Sequence, residues 1–218
     1  MPDYIRESRN RVKRLPERAA YDEETINPII DAALICHVGF IQDGQPFVIP
    51  CIHGREGRTI YLHGAKASRL LGESGSGRKL CLSFAHLDGI VLARSLFHSS
   101  MNYRSVVAFG SGRELAGEEK MSALKVITDG LVKDRWDHAR TPTEKELRST
   151  SVVAVRLESA SAKIRNWGAK DDPEDLAGPW WAGVLPIERR FLQPIPNEDV
   201  AKGMPVPGHV LRRAGDVL

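Results

Sequence analysis

Three stretches of this sequence gather residues suited to chemistry. The first is His63-Gly64-Ala65-Lys66-Ala67-Ser68-Arg69-Leu70, where a lysine, a serine and an arginine follow a glycine as a β-like run gives way to a helical turn. A phosphate is well served there: amide N–H groups at a helix start point outward, a hydroxyl donates, and a guanidinium binds two oxygens at once. An ordinary solvated turn accounts for the same residues, because no phosphate-loop or dinucleotide fingerprint accompanies them. The second stretch, His98 to Val107, opens a strand with Ser99, Ser100, Asn102, Tyr103, Arg104 and Ser105. Alternation places Asn102, Arg104 and Val106 on one face and Tyr103, Ser105 and Val107 on the other. So many hydrogen-bonding groups at a strand head suit the edge of a flat heterocycle; bonds between strands, or a subunit interface, would use them equally well. The third, Ser161–Gly168, mixes Lys163 and Arg165 with Trp167, a set able to close over an anionic, planar ligand.

Other chemistries find less support. The seven histidines are scattered, with no i,i+4 pair on a helix and no carboxylate cluster beside them, so zinc or non-haem iron is not expected. No G-x-S-x-G elbow occurs, and His98-Ser99-Ser100 lacks a third partner, which argues against hydrolase chemistry. Cys36, Cys51 and Cys81 form no C-x-x-C pair and lie in apolar runs, where a free thiol behaves as a small hydrophobe. A net charge of only +3 makes no general case for nucleic acid. The basic residues between Arg6 and Arg18 are interrupted by acids and lack a stacking set, so they read as a solvated or dimer-clasping arm. No apolar run approaches the roughly 20 residues that span a bilayer, and charges recur from Asp3 to Glu24 where a signal core would stand. A cytoplasmic protein that does not contact membranes is expected.

The elements that must position these residues follow from periodicity and turn chemistry. A charged arm over 1–24 precedes a short helix, Thr25–Ala33, with Thr25 as N-cap and Pro28 in the first turn. Leu34–Ile41 and Gln45–His53 flank Asp43-Gly44, the strongest short hairpin signal. Further strands are expected at Thr59–His63, Lys79–Ala85, Met101–Leu115 and Ser151–Glu158, with Gly110 and Gly112 as bulges or bends. Residues 117–133 carry Met121, Leu124, Ile127 and Leu131 at helical steps behind Glu118 and Glu119. Thr143 and Glu146 stand at capping-box spacing. The tail after Gly168 is rich in Pro and Gly and carries the adjacent Trp180 and Trp181, which must dock on a barrel or a partner. A tight turn between the first two strands cannot make a parallel crossover, so an antiparallel barrel with helical decorations is expected, as one domain over 25–185 with an extended tail over 186–218.

The runs IYLHGAKASRL, DGIVLARSLFHSSMNYRSVVAFGSGREL and ELRSTSVVAVRLESASAKIRNWG resemble the FMN-binding split-barrel family related to pyridoxamine 5′-phosphate oxidase, in particular its nitroimidazole-reductase-like branch. The resemblance covers roughly residues 20–185. It implies a mainly β (α+β) fold: a six-stranded antiparallel Greek-key split β-barrel with flanking helices. It also implies a homodimer with FMN at the subunit interface and a small-molecule substrate. By similarity, Val48, Ile49, Pro50 and Cys51 lie along the isoalloxazine edge, and His63, Gly64, Lys66, Ser68 and Arg69 hold the ribityl phosphate and nearby ring. Ser100, Asn102, Tyr103, Arg104, Ser105 and Val106 face the flavin, with Ser105 reaching it from the other subunit, and Lys163 or Trp167 closes the site. His63 matches the histidine that orients or protonates substrate in nitroimidazole reductases, while FMN supplies electrons. The implied activity is an FMN-dependent oxidoreductase, acting on nitroaromatic or other small aromatic compounds. Non-catalytic flavin storage or sensing stands as the alternative, as does haem or F420 on the same barrel. The oxidases' C-terminal Arg-Leu-His-Asp-Arg motif is absent, and Arg189-Arg190 and Arg212-Arg213 do not match it, which argues against pyridoxamine phosphate oxidation. Arg94 and His98, in a long segment before the fifth strand, are suited to a substrate or a dimer clasp.

Overall fold

The structure, a computed structural model, describes residues 3–218; the first two residues of the expected arm lie outside it. Asp43 and Gly44 both take left-handed backbone angles (φ 51° and 76°), the geometry of a two-residue hairpin turn whose twist matches its strands. That turn joins β2 (Ile35–Gln42) to β3 (Gln45–Glu56), in register from Ile35 opposite Ile52 to Gln42 opposite Gln45. The remaining strands are β1 (Ala19–Ala20), β4 (Thr59–Ala65), β5 (Ser76–Leu92), β6 (Ser100–Glu114), β7 (Thr150–Arg165) and β8 (Gly183–Pro186). Pairing runs β7-β4-β3-β2-β5-β6, and β6 returns to β7, so six antiparallel strands close a ring while β1 and β8 lie outside it on β7 and β5. This is the expected split barrel.

Alternation fills the ring. Val38, Phe40, Ile60, Leu62, Leu82, Phe84, Val106 and Leu157 point inward and are fully or almost fully buried. Helix α1 (Glu23–Ala32) adds Ile26, Ile29 and Ile30 to the same core. Helix α2 (Arg69–Gly75) follows β4, α3 (Gly117–Leu131) and α4 (Glu144–Ser149) separate β6 from β7, and α5 (Gly208–Arg213) lies in the tail. Among the described residues no helix is long and apolar enough to cross a membrane.

Three departures from the sequence expectation have a clear physical cause. The cap of α1 is Asp22, not Thr25: the Thr25 amide donates to Asp22 Oδ1 at 2.7 Å, so the helix starts a turn earlier and Pro28 falls inside it. β5 runs on to Leu92, past the expected end at Ala85, because β8 pairs with its last residues, Gly89 to Leu92. β7 runs past Glu158 to Arg165, although Ser159–Lys163 is poor in β-branched residues, because β6 pairs along it and β1 pairs with Ala162 and Lys163. The capping box at Thr143 and Glu146 is formed from both sides.

Candidate functional site

β4 ends where the basic turn begins. Gly64 and Ala65 pair with Ser151 and Thr150 of β7, the Lys66 amide donates to the Ser149 carbonyl at 2.9 Å, and the Ser68 amide donates to that of Ala65 at 2.8 Å. Ser68 precedes α2 but its hydroxyl makes no cap, so it remains free to serve another acceptor. Arg69 is exposed, lies 4.6 Å above the Phe47 ring, and meets no carboxylate among the described residues. Beside the turn, Lys66, Lys120 and Arg148 line a cleft of about 550 Å³ with Gly117 and Thr150. His63 is half-buried on β4; burial lowers its pKa, and its Nδ1 is buried with no partner. Cys51 on β3 lies against it, with Sγ 3.8 Å from the His63 carbonyl, and burial pushes that thiol up.

The neighbouring outer face of β2 and β3 is apolar. Ile35 opposes Ile52, Gly39 opposes Val48, and Ile41 opposes Pro46, so their side chains share one side of the sheet. Val48 and Ile41 are 68% and 62% exposed, and Pro50 is exposed too, whereas Ile49 turns inward against the core. Solvated monomers rarely leave so many adjacent aliphatic side chains open.

The other expected set stands at the far end of β7. Tyr103 pairs with Arg165, Arg104 with Ile164, and Ser105 with Lys163, where the Ser105 hydroxyl donates to the Lys163 carbonyl at 3.2 Å. Ser100 begins β6 opposite Val91. Asn102 is buried and its Oδ1 accepts from Arg165; Trp167 is partly exposed beside Arg165 and Arg18. Three of the expected side chains are taken up within the chain. Val106 is 1% exposed and packs in the barrel core, which removes its side chain from any ligand. Arg104 is held by Asp88 through two bonds of 3.0 and 2.8 Å, because the irregular pairing between Leu87 and Gly89 sets Asp88 beside it. Lys163 likewise donates to the Arg14 carbonyl at 3.0 Å.

The family model described as pyridoxamine 5′-phosphate oxidase matches residues 22–164. The chain belongs to this family. Among solved structures it is similar to the flavocytochrome Anf3 from Azotobacter vinelandii, with 37% identity over 96% of this chain and 98% of that one and a TM-score of 0.89. It is also similar to the FAD and haem binding protein from Mycobacterium smegmatis, with 32% identity over 91% and 98% and a TM-score of 0.88. A protein described as a 5-nitroimidazole antibiotic resistance protein from Bacteroides thetaiotaomicron shares the fold at 24% identity over 67% and 86%, TM-score 0.56. No curated protein matches.

A phosphorylated flavin needs cations, hydroxyl donors and a polar edge, and the basic turn supplies them. Among the described residues Arg69 and Lys66 offer cations outside any ion pair, Ser68 an uncommitted hydroxyl, and His63 a buried nitrogen that lacks a partner, so the donor set fits. Arg18, Arg165 and Asp88 belong to the β6–β7 end without standing among the expected ligands. The mixture of Arg165 with Trp167 was the legible signal; Asp88 sits in a segment whose pairing depends on the distant β8, and Arg18 arrives only through β1.

Proposed function

We propose that this member of the family is a flavin-dependent oxidoreductase that works as a homodimer, with FMN held across the subunit interface. One observation carries the reading. Within a chain, Lys66–Arg69 follows the Ala65–Thr150 pair at one end of β7, and Asn102–Ser105 lies by the Tyr103–Arg165 pair at the other. A strand of 16 residues extends roughly 50 Å at about 3.3 Å per residue. No single flavin mononucleotide touches both sets in one chain; two chains joined through the apolar β2–β3 face supply one set each. Arg69, Lys66 and Ser68 hold the phosphate, Val48, Pro50 and Cys51 border the ring, and the partner's β6 head closes over it. When bound, the flavin takes up and releases the electrons. His63, neutral because burial disfavours its charged form, presents a nitrogen to the substrate and orients or protonates it. Small aromatic or nitroaromatic compounds are the proposed acceptors, and the cytoplasm the proposed compartment.

The test is a flavin titration of purified protein, with mass measured by light scattering and NADPH-driven turnover followed on a nitroaromatic acceptor. Unchanged flavin fluorescence, or a monomer that binds flavin as tightly as any dimer, sinks the proposal. Binding without turnover leaves a storage or sensor protein.

A second reading is favoured by the two relatives that match over more than 90% of this chain, a flavocytochrome and an FAD and haem binding protein. On this reading haem joins the flavin on the same barrel, with FAD in place of FMN. A Soret band after haem addition, lost in a His63 or His98 variant, supports it; no band at all removes it.

A further inference from the structure

Two guanidinium groups share one indole without an anion. Arg165 ends β7 and is 3% exposed. It donates to Asn102 Oδ1, to the Trp167 carbonyl at 2.7 Å and to the Gly168 carbonyl at 2.9 Å, and all three acceptors are neutral. Burial, and then the charge of Arg18, press its pKa below the ordinary guanidinium value. Arg18 reaches the spot because Ala19 pairs with Lys163. The guanidinium carbons of Arg18 and Arg165 lie 4.9 and 5.1 Å from the centre of the Trp167 ring. The Nε of Arg18 is buried with no partner. Among the described residues no carboxylate is bonded to either arginine, whereas Arg94 and Arg104 each have an aspartate.

Hydrogen bonds to carbonyls compensate the N–H groups of a buried cation but not its charge, and removing a charge from water is costly unless an opposite charge replaces the solvent. Two like charges around one ring raise that cost. Arg165 commits Nη1 and Nη2 to neutral carbonyls, so its charge stays uncompensated, and Arg18, half-buried beside the partly exposed Trp167, is the more accessible of the two. A planar fork suits a carboxylate, which it binds through two parallel bonds.

We propose that Arg18 and Arg165, against Trp167, form a seat for a carboxylate borne on a flat conjugated molecule. Its position beside the ring end of the flavin rests on the function proposed above; the seat itself does not. The carboxylate belongs either to an aromatic substrate or to a haem propionate, and the recognition chemistry is the same.

The experiment titrates the purified full-length protein with benzoate and with benzamide, its uncharged isostere, by calorimetry, reading flavin content by absorbance in the same samples. Benzoate is expected to bind saturably, and benzamide at least tenfold more weakly. Arg18→Gln should weaken benzoate at least tenfold, while Arg165→Lys, which keeps the charge but loses the fork, should weaken it less than Arg165→Gln. Circular dichroism melts identify any Arg165 variant that fails to fold, and the half-buried Arg18 then carries the test alone. In a second arm, haem and its dimethyl ester are titrated: weaker binding of the ester, and of haem to Arg18→Gln, assigns the carboxylate to a propionate. Equal binding of benzoate and benzamide, together with haem binding indifferent to Arg18 and to esterification, overturns the proposal, as does binding of neither. A flavin-free protein that still binds benzoate through Arg18 removes the flavin reading and leaves the seat in place.

Discussion

Arg189 Nη2 donates to His86 Nδ1 at 3.1 Å, so the C-terminal tail is fastened to the barrel by a ring that also holds α1. The other ring nitrogen, Nε2, lies 2.9 Å from the carbonyl of Ile29. A carbonyl can only accept, so Nε2 carries the proton and Nδ1 the lone pair that Arg189 requires. The ring is therefore neutral in the folded chain, and burial is the chief reason its pKa lies below the ordinary 6.5. His53 repeats half of this arrangement: its Nε2 lies 3.2 Å from the Ile30 carbonyl, and burial lowers its pKa as well. Both histidines bond carbonyls in the last turn of α1; that of Ile30 also accepts from the Ala33 amide at 3.1 Å.

The pH dependence follows from the sign of these shifts. The folded pKa values lie below the unfolded ones, so the unfolded chain takes up protons first as pH falls. Stability is fully present above about 6.5 and is lost as pH drops through the unfolded value toward the folded one. Thermal melts should show a lower Tm at pH 5.5 than at pH 7.5. His86→Gln, which keeps a donor and cannot charge, should flatten the slope, with His53 and His63 contributing to what remains. An unchanged slope in the double variant His53→Gln/His86→Gln contradicts the assignment.

Arg69→Ala should weaken flavin binding by about 1.5–3 kcal/mol, the loss of one charge-assisted contact. Arg69 lies over Phe47 on the surface and forms no ion pair among the described residues, so its removal leaves the core intact. Fluorescence titration should show a weaker Kd with an unaltered Tm. A Tm that falls in step with affinity would make Arg69 a packing residue.

Gly110→Ala should destabilise the barrel by about 3 kcal/mol through overpacking. Pairing slips between Phe109 and Gly110, and a Cβ there would stand 2.1 Å from the Arg156 carbonyl oxygen. Gly112 is comparably tight, 2.2 Å from the Ser74 carbonyl oxygen. Urea denaturation gives the measurement, and a loss below about 0.5 kcal/mol, the scale of surface substitutions, would mean the bulge relaxes.

What the sequence made legible was local. Asp43-Gly44 needs only its own φ angles to turn a hairpin, and Thr143 with Glu146 closes a cap within one helical turn, so both were readable from neighbours. The extensions of β5 and β7 were not, because β8 and β1, which pair with them, lie far off in the chain. The site divides the same way. The Lys66–Arg69 turn is contiguous and was visible. Arg104 looked available until Asp88 was placed beside it, and Val106 until the barrel closed over it.

Asp88→Asn tests the first of those corrections. The Arg104–Asp88 pair is about one-third exposed, at 33% and 31%, so solvent screens it and its loss should cost no more than about 1 kcal/mol. The freed guanidinium should be felt by a ligand at the β6 head. Flavin affinity is expected to change by more than stability does; equal small changes in both would leave Arg104 a surface residue.

His63→Ala separates catalysis from binding. The side chain sits near the end of β4, two strand residues before the chain turns toward Lys66 and Arg69, and among the described residues its buried Nδ1 has no hydrogen-bond partner. A nitrogen withheld from water and left without a bond costs stability unless a ligand meets it. Because burial lowers its pKa, the ring stays neutral at pH 7 and can donate a hydrogen bond or accept one without changing the net charge of the site. Removing it should therefore slow substrate reduction more than it weakens flavin binding. The pH–rate profile of the native protein should also show a limb that the variant lacks. If His63→Ala lowers turnover and flavin affinity by the same factor, and the pH profile keeps its shape, His63 serves only to hold the cofactor, and proton delivery must come from another group.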